Sequence, residues 1–436
     1  MKAVEEGLGP VQSRPRLRRA EALRNSAWGL VDQAIVSLGN FCTTLLLIRT
    51  LPPDEFGVYA LILNAAIFLN TMQQSVIGYP LCVRGAQSNT RHFRDLVASA
   101  MGATGALSLL NSLILFGVCV GMERPALAVP LALAVLLWQL QDTLRGAFQS
   151  QLRQREAVPG DSISYLGQAA VIGMLCRAHH VSVPLAWSVV GGTSLLGLLV
   201  QLWQLRLQRP SVASMTTMFR DCWSLGRWAV PARIMGFFTL QAFPWAIALR
   251  HGTSQVATYQ ALFQIIALAN PVLLSMGSLI TASFARTRGD SPREGYRYIL
   301  LTAVFTGAYL LLVGTAGPQV LSLLYGSHGR YVAFGSELRT LAMAWSFEVV
   351  ALISTSVLGG MERARGLFWV QSSGFMAAGL IALPMVYRQG LAAAAVGLLL
   401  VNVTRAVCGV ALALYALRYS WSVKQTFVPG AEEQAG

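Results

Sequence analysis

Lysine is almost absent from this 436-residue chain: Lys2 and Lys424 are the only two. A phosphate loop of the GxxxxGK[ST] type needs a lysine, so none exists between residues 3 and 423, and with it goes an ATPase of that kind. Charge of either sign is scarce as well. Asp, Glu, Lys and Arg make up 12% of the residues, against about 25% in a soluble domain. A soluble core of this size could not hide 54% apolar residues behind so few charges. The solvent is therefore lipid.

Metal and redox chemistry find little to work with. The six cysteines (Cys42, Cys82, Cys119, Cys176, Cys222 and Cys408) lie in or beside apolar runs without a CxxC, which predicts buried free thiols. The five histidines fall in loops or at run ends, with no HExxH, and no aspartate pair is placed to hold magnesium on a diphosphate. No catalytic residue, metal site or cofactor is expected. The first 24 residues are polar and the first apolar run is too long for a signal-peptide core, so no cleavable leader is expected.

What is present is a series of long apolar runs. They fall at residues 26–48, 56–80, 96–120, 126–150, 159–178 and 183–205, then at 228–249, 255–281, 299–325, 340–361, 366–387 and 391–417. Most reach the ~20 residues that cross a bilayer as a helix. The reading is an all-α polytopic membrane protein with twelve transmembrane helices. A basic tail over residues 1–24 precedes an N-terminal six-helix bundle over 25–210; a C-terminal bundle over 211–420 precedes a tail over 421–436.

The basic residues set the orientation. With an inner N-terminus and alternating runs, 23 of the 33 fall on the inner side, 7 on the outer side and 3 within spans. That split follows the positive-inside rule and explains the net charge of +14 without nucleic acid. Both termini are expected in the cytoplasm of a bacterium, with the protein in its inner membrane. The turn "RTLPPDEFGVY", residues 49–59, then lies outside; its prolines stop one helix and its acids favour the start of the next. Reporter fusions after Arg49 and after Arg94 are expected to report opposite sides of the membrane. Matching signals would overturn the topology.

The two sets of six runs resemble each other. Trp28 meets Trp228 and Tyr59 meets Tyr259 at an offset of 200 residues, and Arg49 meets Arg250 at 201. The fourth and tenth runs end alike, in "RGAFQSQLRQRE" and "GGMERARGLFW". Six helices per half places both halves in the same orientation, related by an axis along the membrane normal.

With "LLLIRTLPPDEFGVYALIL", "LRGAFQSQLRQRE" and the 6+6 layout, the chain resembles the multidrug/oligosaccharidyl-lipid/polysaccharide exporter superfamily, in its polysaccharide-biosynthesis branch of lipid-linked oligosaccharide flippases. The second-half turn "LRHGTSQVATYQAL" keeps the arginine and the tyrosine but lacks the acidic pair. The resemblance implies two pseudo-symmetric six-helix bundles around a central cavity, working by alternating access. It implies a polyprenyl-diphosphate-linked oligosaccharide as cargo, with membrane lipid and other polysaccharide-assembly proteins as partners.

Charges inside the spans are the candidate functional residues, since each costs about 2.5–3.5 kcal/mol at a helix centre on insertion scales. They are Asp32, Asp142, Arg145, Arg233, Glu348 and Arg405. Given the anionic cargo, Arg145, Arg233 and Arg405 are the intramembrane cations for a diphosphate, and Glu348 is placed with them in the cavity. Three other readings stand beside this one: a helical Asp142–Arg145 pair, a buried Glu348–Arg405 pair between the tenth and twelfth helices, and an Arg233 that snorkels to the headgroups. Asp32 and Arg233 lie at similar depth near the inner ends of the first and seventh runs and are expected to form a gate. Trp28, Gln33, Gln73, Gln74, Trp138, Gln139 and Gln241 are the aromatic and amide side chains available to sugars, with interface anchoring or helix packing as the leading reading for any one of them. The function expected is a non-enzymatic flippase. The alternatives are a cation-coupled multidrug exporter of the same superfamily and a membrane polysaccharide polymerase or glycosyltransferase.

Overall fold

The computed structural model describes residues 15–85, 90–205, 212–287, 293–326 and 329–426. Residues 1–14 and 427–436 of the expected tails, and His328, lie outside the described residues, as does the side chain of Cys222. The other five cysteines are free thiols.

Twelve crossing helices alternate through the structure. The first six are α1 (Pro15–Thr50), α2 (Pro53–Gly85), α3 (Thr90–Gly121), α4 (Ala128–Ser150), α5 (residues 154–177) and α6 (Val183–Leu205). The second six are α7 (Val212–His251), α8 (Thr253–Ala267 with Asn270–Thr287), α9 (Arg293–Thr315), α10 (Gly335–Gly360), α11 (Ala364–Gln389) and α12 (Leu391–Thr426). Among the described residues nine helices are long and apolar enough to cross a membrane, and the two parts of α8, bent by 46°, make a tenth. The other two crossings, α5 and α7, carry Asp161 and Arg233.

The ninth run divides where the sequence showed one apolar stretch. α9 ends at Thr315, and a short helix, Gly317–Tyr325, continues in a new direction with Pro318 in its first turn. Proline is well placed there because the first amides of a helix need no partner within it. Pro231 and Pro244, in contrast, sit inside α7 without ending it, and Pro271 opens the second half of α8 just beyond its bend.

Local geometry supports the duplication. Leu152 after α4 and Glu362 after α10 both adopt positive φ, 55° and 58°. Each turn closes with the same bonds: Leu152 N to Gln149 O and Arg153 N to Phe148 O in one, Glu362 N to Gly359 O and Arg363 N to Leu358 O in the other. α5 and α11, the equivalent helices that follow, each contain a five-residue π turn, at Ser162–Leu166 and Ala378–Ala382. Such wide turns recur at functional sites in helices.

The apolar packing is asymmetric between the membrane faces. On the side of the 49–52 turn, one continuous core joins both halves through Leu47, Phe56, Leu61, Trp187, Tyr259, Leu262 and Leu398. Toward the other face the core separates in two. Ile77, Phe93, Leu144 and Phe148 form one cluster in the N-terminal bundle, and Ile280, Phe284, Val357 and Val370 form another in the C-terminal bundle. The bundles are thus sealed together on the face of the 49–52 turn and packed separately on the opposite face.

Candidate functional site: two adjoining cavities beneath a polar seal

The seal is built from the polar turn that interrupts the first two apolar runs. The Arg49 guanidinium donates to the carbonyls of Leu323 and Leu324, at 3.2 and 2.5 Å, across 274 and 275 residues of chain. These are terminal carbonyls of the short helix, which have no partner within it, and cations favour a helix C-terminus. Asp54 accepts from the Thr253 hydroxyl at 2.9 Å. Gly57 lies so close to Thr253 that a Cβ on it would come 1.9 Å from the Thr253 carbonyl oxygen. Glu55 pairs with Arg124 at 2.7 Å within its own bundle. Nearby, burial raises the Tyr325 phenol above its ordinary value, with the Tyr331 ring adding to this and Arg49 opposing it. It stays neutral and donates to the Ala261 carbonyl.

Beneath the seal lies a cavity of about 250 Å³ between the bundles. Its polar lining is neutral: Asn40, Thr43, Asn64, Gln168, Gln241, Gln260 and Gln264, interleaved with Tyr59, Trp138, Tyr165, Trp187 and Phe263. Asn64 ties the bundles together, donating to Gln241 Oε1 at 2.6 Å and accepting from Trp245 Nε1 at 3.0 Å. The buried Trp187 Nε1 has no partner among the described residues. Flat rings beside amides suit a sugar, which presents both C–H faces and hydroxyls.

A second cavity, about 450 Å³, shares Ile67 and Gln241 with the first. Its character changes: Arg233 and Arg405 line it with Thr71, Thr239 and Gln371. Arg233 is exposed and has no carboxylate partner among the described residues. Arg405 is buried and bonds through one terminal nitrogen to Glu348. Its stem passes over Gly374 of α11, where a Cβ would come 2.5 Å from Arg405 Cδ. The buried pair and the cavity wall, separate readings in the sequence, are here the same residue: Arg405 does both.

Arg145 and Asp32 are placed elsewhere. Arg145 lines neither cavity; it lies inside the N-terminal bundle among three carboxylates. It meets Asp32 at 2.9 Å, Asp161 at 3.1 Å and Asp142, on its own helix, at 4.0 Å. The expected Asp32–Arg233 gate is therefore not formed in this conformation. Asp32 faces α4 and α5, 1% exposed, and its reach is spent on Arg145. Asp161 was missed in the sequence because it stands at the edge of the fifth run, after Pro159-Gly160. Helix α5 begins earlier, at Gln154, which carries Asp161 into the bundle, and Gln141 and Gln201 donate to it at 3.1 and 3.0 Å.

Of the side chains considered for sugars, Trp138 and Gln241 line the neutral chamber. Gln73 bonds Thr104 and Thr143, Gln139 accepts from Ser108 and Asn111, Gln74 donates to Asp142, and Gln33 accepts from Arg145. Trp28 lies under the Arg155 guanidinium. Those five hold the N-terminal bundle together.

Residues 22–284, more than half of the chain, match the family described as polysaccharide biosynthesis protein. The chain belongs to that family. Among curated proteins no sequence match is found. Solved structures place this polysaccharide biosynthesis protein in the fold of the MOP superfamily. It resembles a multidrug resistance MATE family transporter in its inward-facing conformation, with a TM-score of 0.70 and 13% identity over 91% of this chain and 96% of the other. An outward-facing conformation of a multidrug resistance MATE family transporter gives 0.58, at 13% identity over 92% and 96%. A MOP superfamily transporter from Pyrococcus furiosus, described by a binding pocket of reversed polarity, gives 0.64 at 13% identity over 92% and 96%.

Proposed function

We propose that this protein is a flippase for a polyprenyl-diphosphate-linked oligosaccharide, moving it by alternating access from the leaflet on the basic face to the leaflet outside the 49–59 turn. The membrane would be the bacterial cytoplasmic membrane, with both termini inside. The observation that carries the reading is the juxtaposition of the two chambers, which have Ile67 and Gln241 as common wall residues. A neutral aromatic and amide chamber fits the glycan; the adjoining pair of arginines fits the diphosphate. Arginine keeps its charge at depth and presents a planar fork to phosphate oxygens. The membership in a polysaccharide biosynthesis family supports the same cargo.

The multidrug exporter remains the competing transporter, on the fold of its neighbours. A cationic drug would meet the charge of Arg233 on its way through, and like charges repel. The family and its structural neighbours are transporters, which favours transport over a polymerase or glycosyltransferase.

The test is reconstitution. Vesicles containing the purified protein and a lipid-linked oligosaccharide would be probed with a membrane-impermeant glycosidase to follow exchange between leaflets. The wild type is expected to expose the glycan on both sides. Arg233→Gln is expected to lower the rate about tenfold, the weight of a charge-assisted bond to phosphate, at unchanged protein content. Efflux of organic cations without movement of the glycolipid would sink the proposal.

A further inference from the structure

One of the two cavity arginines is already neutralised. Arg405 of α12 bonds Glu348 of α10, and Glu348 does not itself line the cavity: it stands behind the guanidinium, 9% exposed. Only one side of the guanidinium is used. Its Nε–H has no acceptor among the described residues, and the side chain is only 7% exposed. A guanidinium binds two oxygens side by side when they are offered, so this one is half occupied by an anion of the protein's own. The helices packed against α10 are α8, α9, α11 and α12, with the short outer helix. Of their titratable side chains, Arg405 alone is bonded to Glu348 among the described residues; Tyr309 donates to the Ile265 carbonyl and Tyr325 to that of Ala261.

We infer that Glu348 is an internal counter-anion: an incoming diphosphate takes its place on Arg405, and the displaced carboxylate takes up one proton. The inference rests on the reading of the cavity as a lipid-diphosphate site. Its physical ground is the cost of charge at this depth. A carboxylate separated from its buried partner is strongly destabilised, and binding a proton removes the charge. Arg405 is then balanced in both states. When empty, Arg405 is paired with Glu348⁻; when loaded, Arg405 is paired with the diphosphate and Glu348 is the neutral acid. An empty carrier must change conformation too, and an unpaired arginine at mid-membrane would oppose it.

The sign follows from linkage. Binding that consumes a proton weakens as pH rises, by up to about tenfold per pH unit where Glu348 is ionised in the empty protein. The experiment is calorimetry on the purified full-length protein with a short isoprenyl diphosphate as probe, in two buffers of different ionisation enthalpy, which counts protons per diphosphate bound. Any proton taken up by the probe itself is common to all variants. Wild type is expected to take up about one proton more than Glu348→Gln. That variant is expected to bind about tenfold tighter at the same pH, because the competitor is gone. The double variant Arg405→Gln with Glu348→Gln removes both charges, leaving no unpaired ion to unfold the bundle, and is expected to bind at least about tenfold more weakly than Glu348→Gln. Equal proton counts in wild type and Glu348→Gln would overturn the counter-anion and leave the lipid-diphosphate reading standing. Failure of both to bind the probe would overturn both readings.

Discussion

A single methyl group at Gly57 is expected to hold the outer mouth open. The Cβ of Gly57→Ala would come 1.9 Å from the Thr253 carbonyl oxygen and 2.6 Å from its carbon. Both are backbone atoms at the start of α8, so no side chain can swing aside; the helices must separate. Overpacking of this kind costs about 1–3 kcal/mol, which moves a two-state equilibrium by roughly 5- to 150-fold. The closed state bears the clash and the open state does not, so the population shifts outward. The readout is a cysteine at Asn64, on the neutral chamber, in a chain whose six native cysteines are replaced. Its labelling by an impermeant thiol reagent from outside is expected to accelerate about tenfold, with leaflet exchange slowed to match. Gly117→Ala, where an added Cβ meets nothing within 4 Å, serves as the control. Equal labelling in Gly57→Ala and the control would show that the outer face does not open through this contact.

The same turn shows how far the sequence could be read. Its composition announced a break between two helices, and the basic residues assigned it a side. Its use as a seal was not legible, because two of its partners are the backbone carbonyls of Leu323 and Leu324, which carry no signature in sequence. Charges in apolar runs were legible one at a time: Arg233, Arg405, Glu348, Arg145 and Asp32 all stand out by their cost. Which of them meet was harder to read. Depth along a helix follows from counting residues, but rotation about its axis depends on packing between helices. Asp32 and Arg233 have the depth for a gate; the rotation of α1 sends Asp32 to Arg145 instead. The neutral chamber was nearly invisible in advance. Asn64, Gln168, Gln260 and Gln264 are uncharged, cost little in a long span, and become a site only when two bundles face each other.

The remaining large effect is expected at Arg145, and it is one of stability. Among the described residues its guanidinium is the one cation paired with Asp32, Asp142 and Asp161, whose side chains are 1%, 16% and 0% exposed. Asp161 is held further by Gln141 and Gln201, and Asp142 by Asn70 and Gln74, so the cluster joins α1, α2, α4, α5 and α6. Close approach of α5 and α6 is part of the design: a Cβ on Gly197 would come 2.7 Å from the Gly160 carbonyl oxygen. Arg145→Met keeps an unbranched apolar stem and removes the charge. Two fully buried carboxylates then lose their cation, a loss of about 3–5 kcal/mol for a broken buried pair. Protein in the membrane and its melting temperature in detergent are expected to fall together. Arg145→Met combined with Asp32→Asn and Asp161→Asn leaves no buried charge unpaired between them, and is expected to regain most of the stability. Since Arg145 lines neither chamber, leaflet exchange per molecule should return with it. A triple variant that folds as well as the wild type yet transports at less than a tenth of its rate would move the cluster out of the scaffold and into the transport step itself.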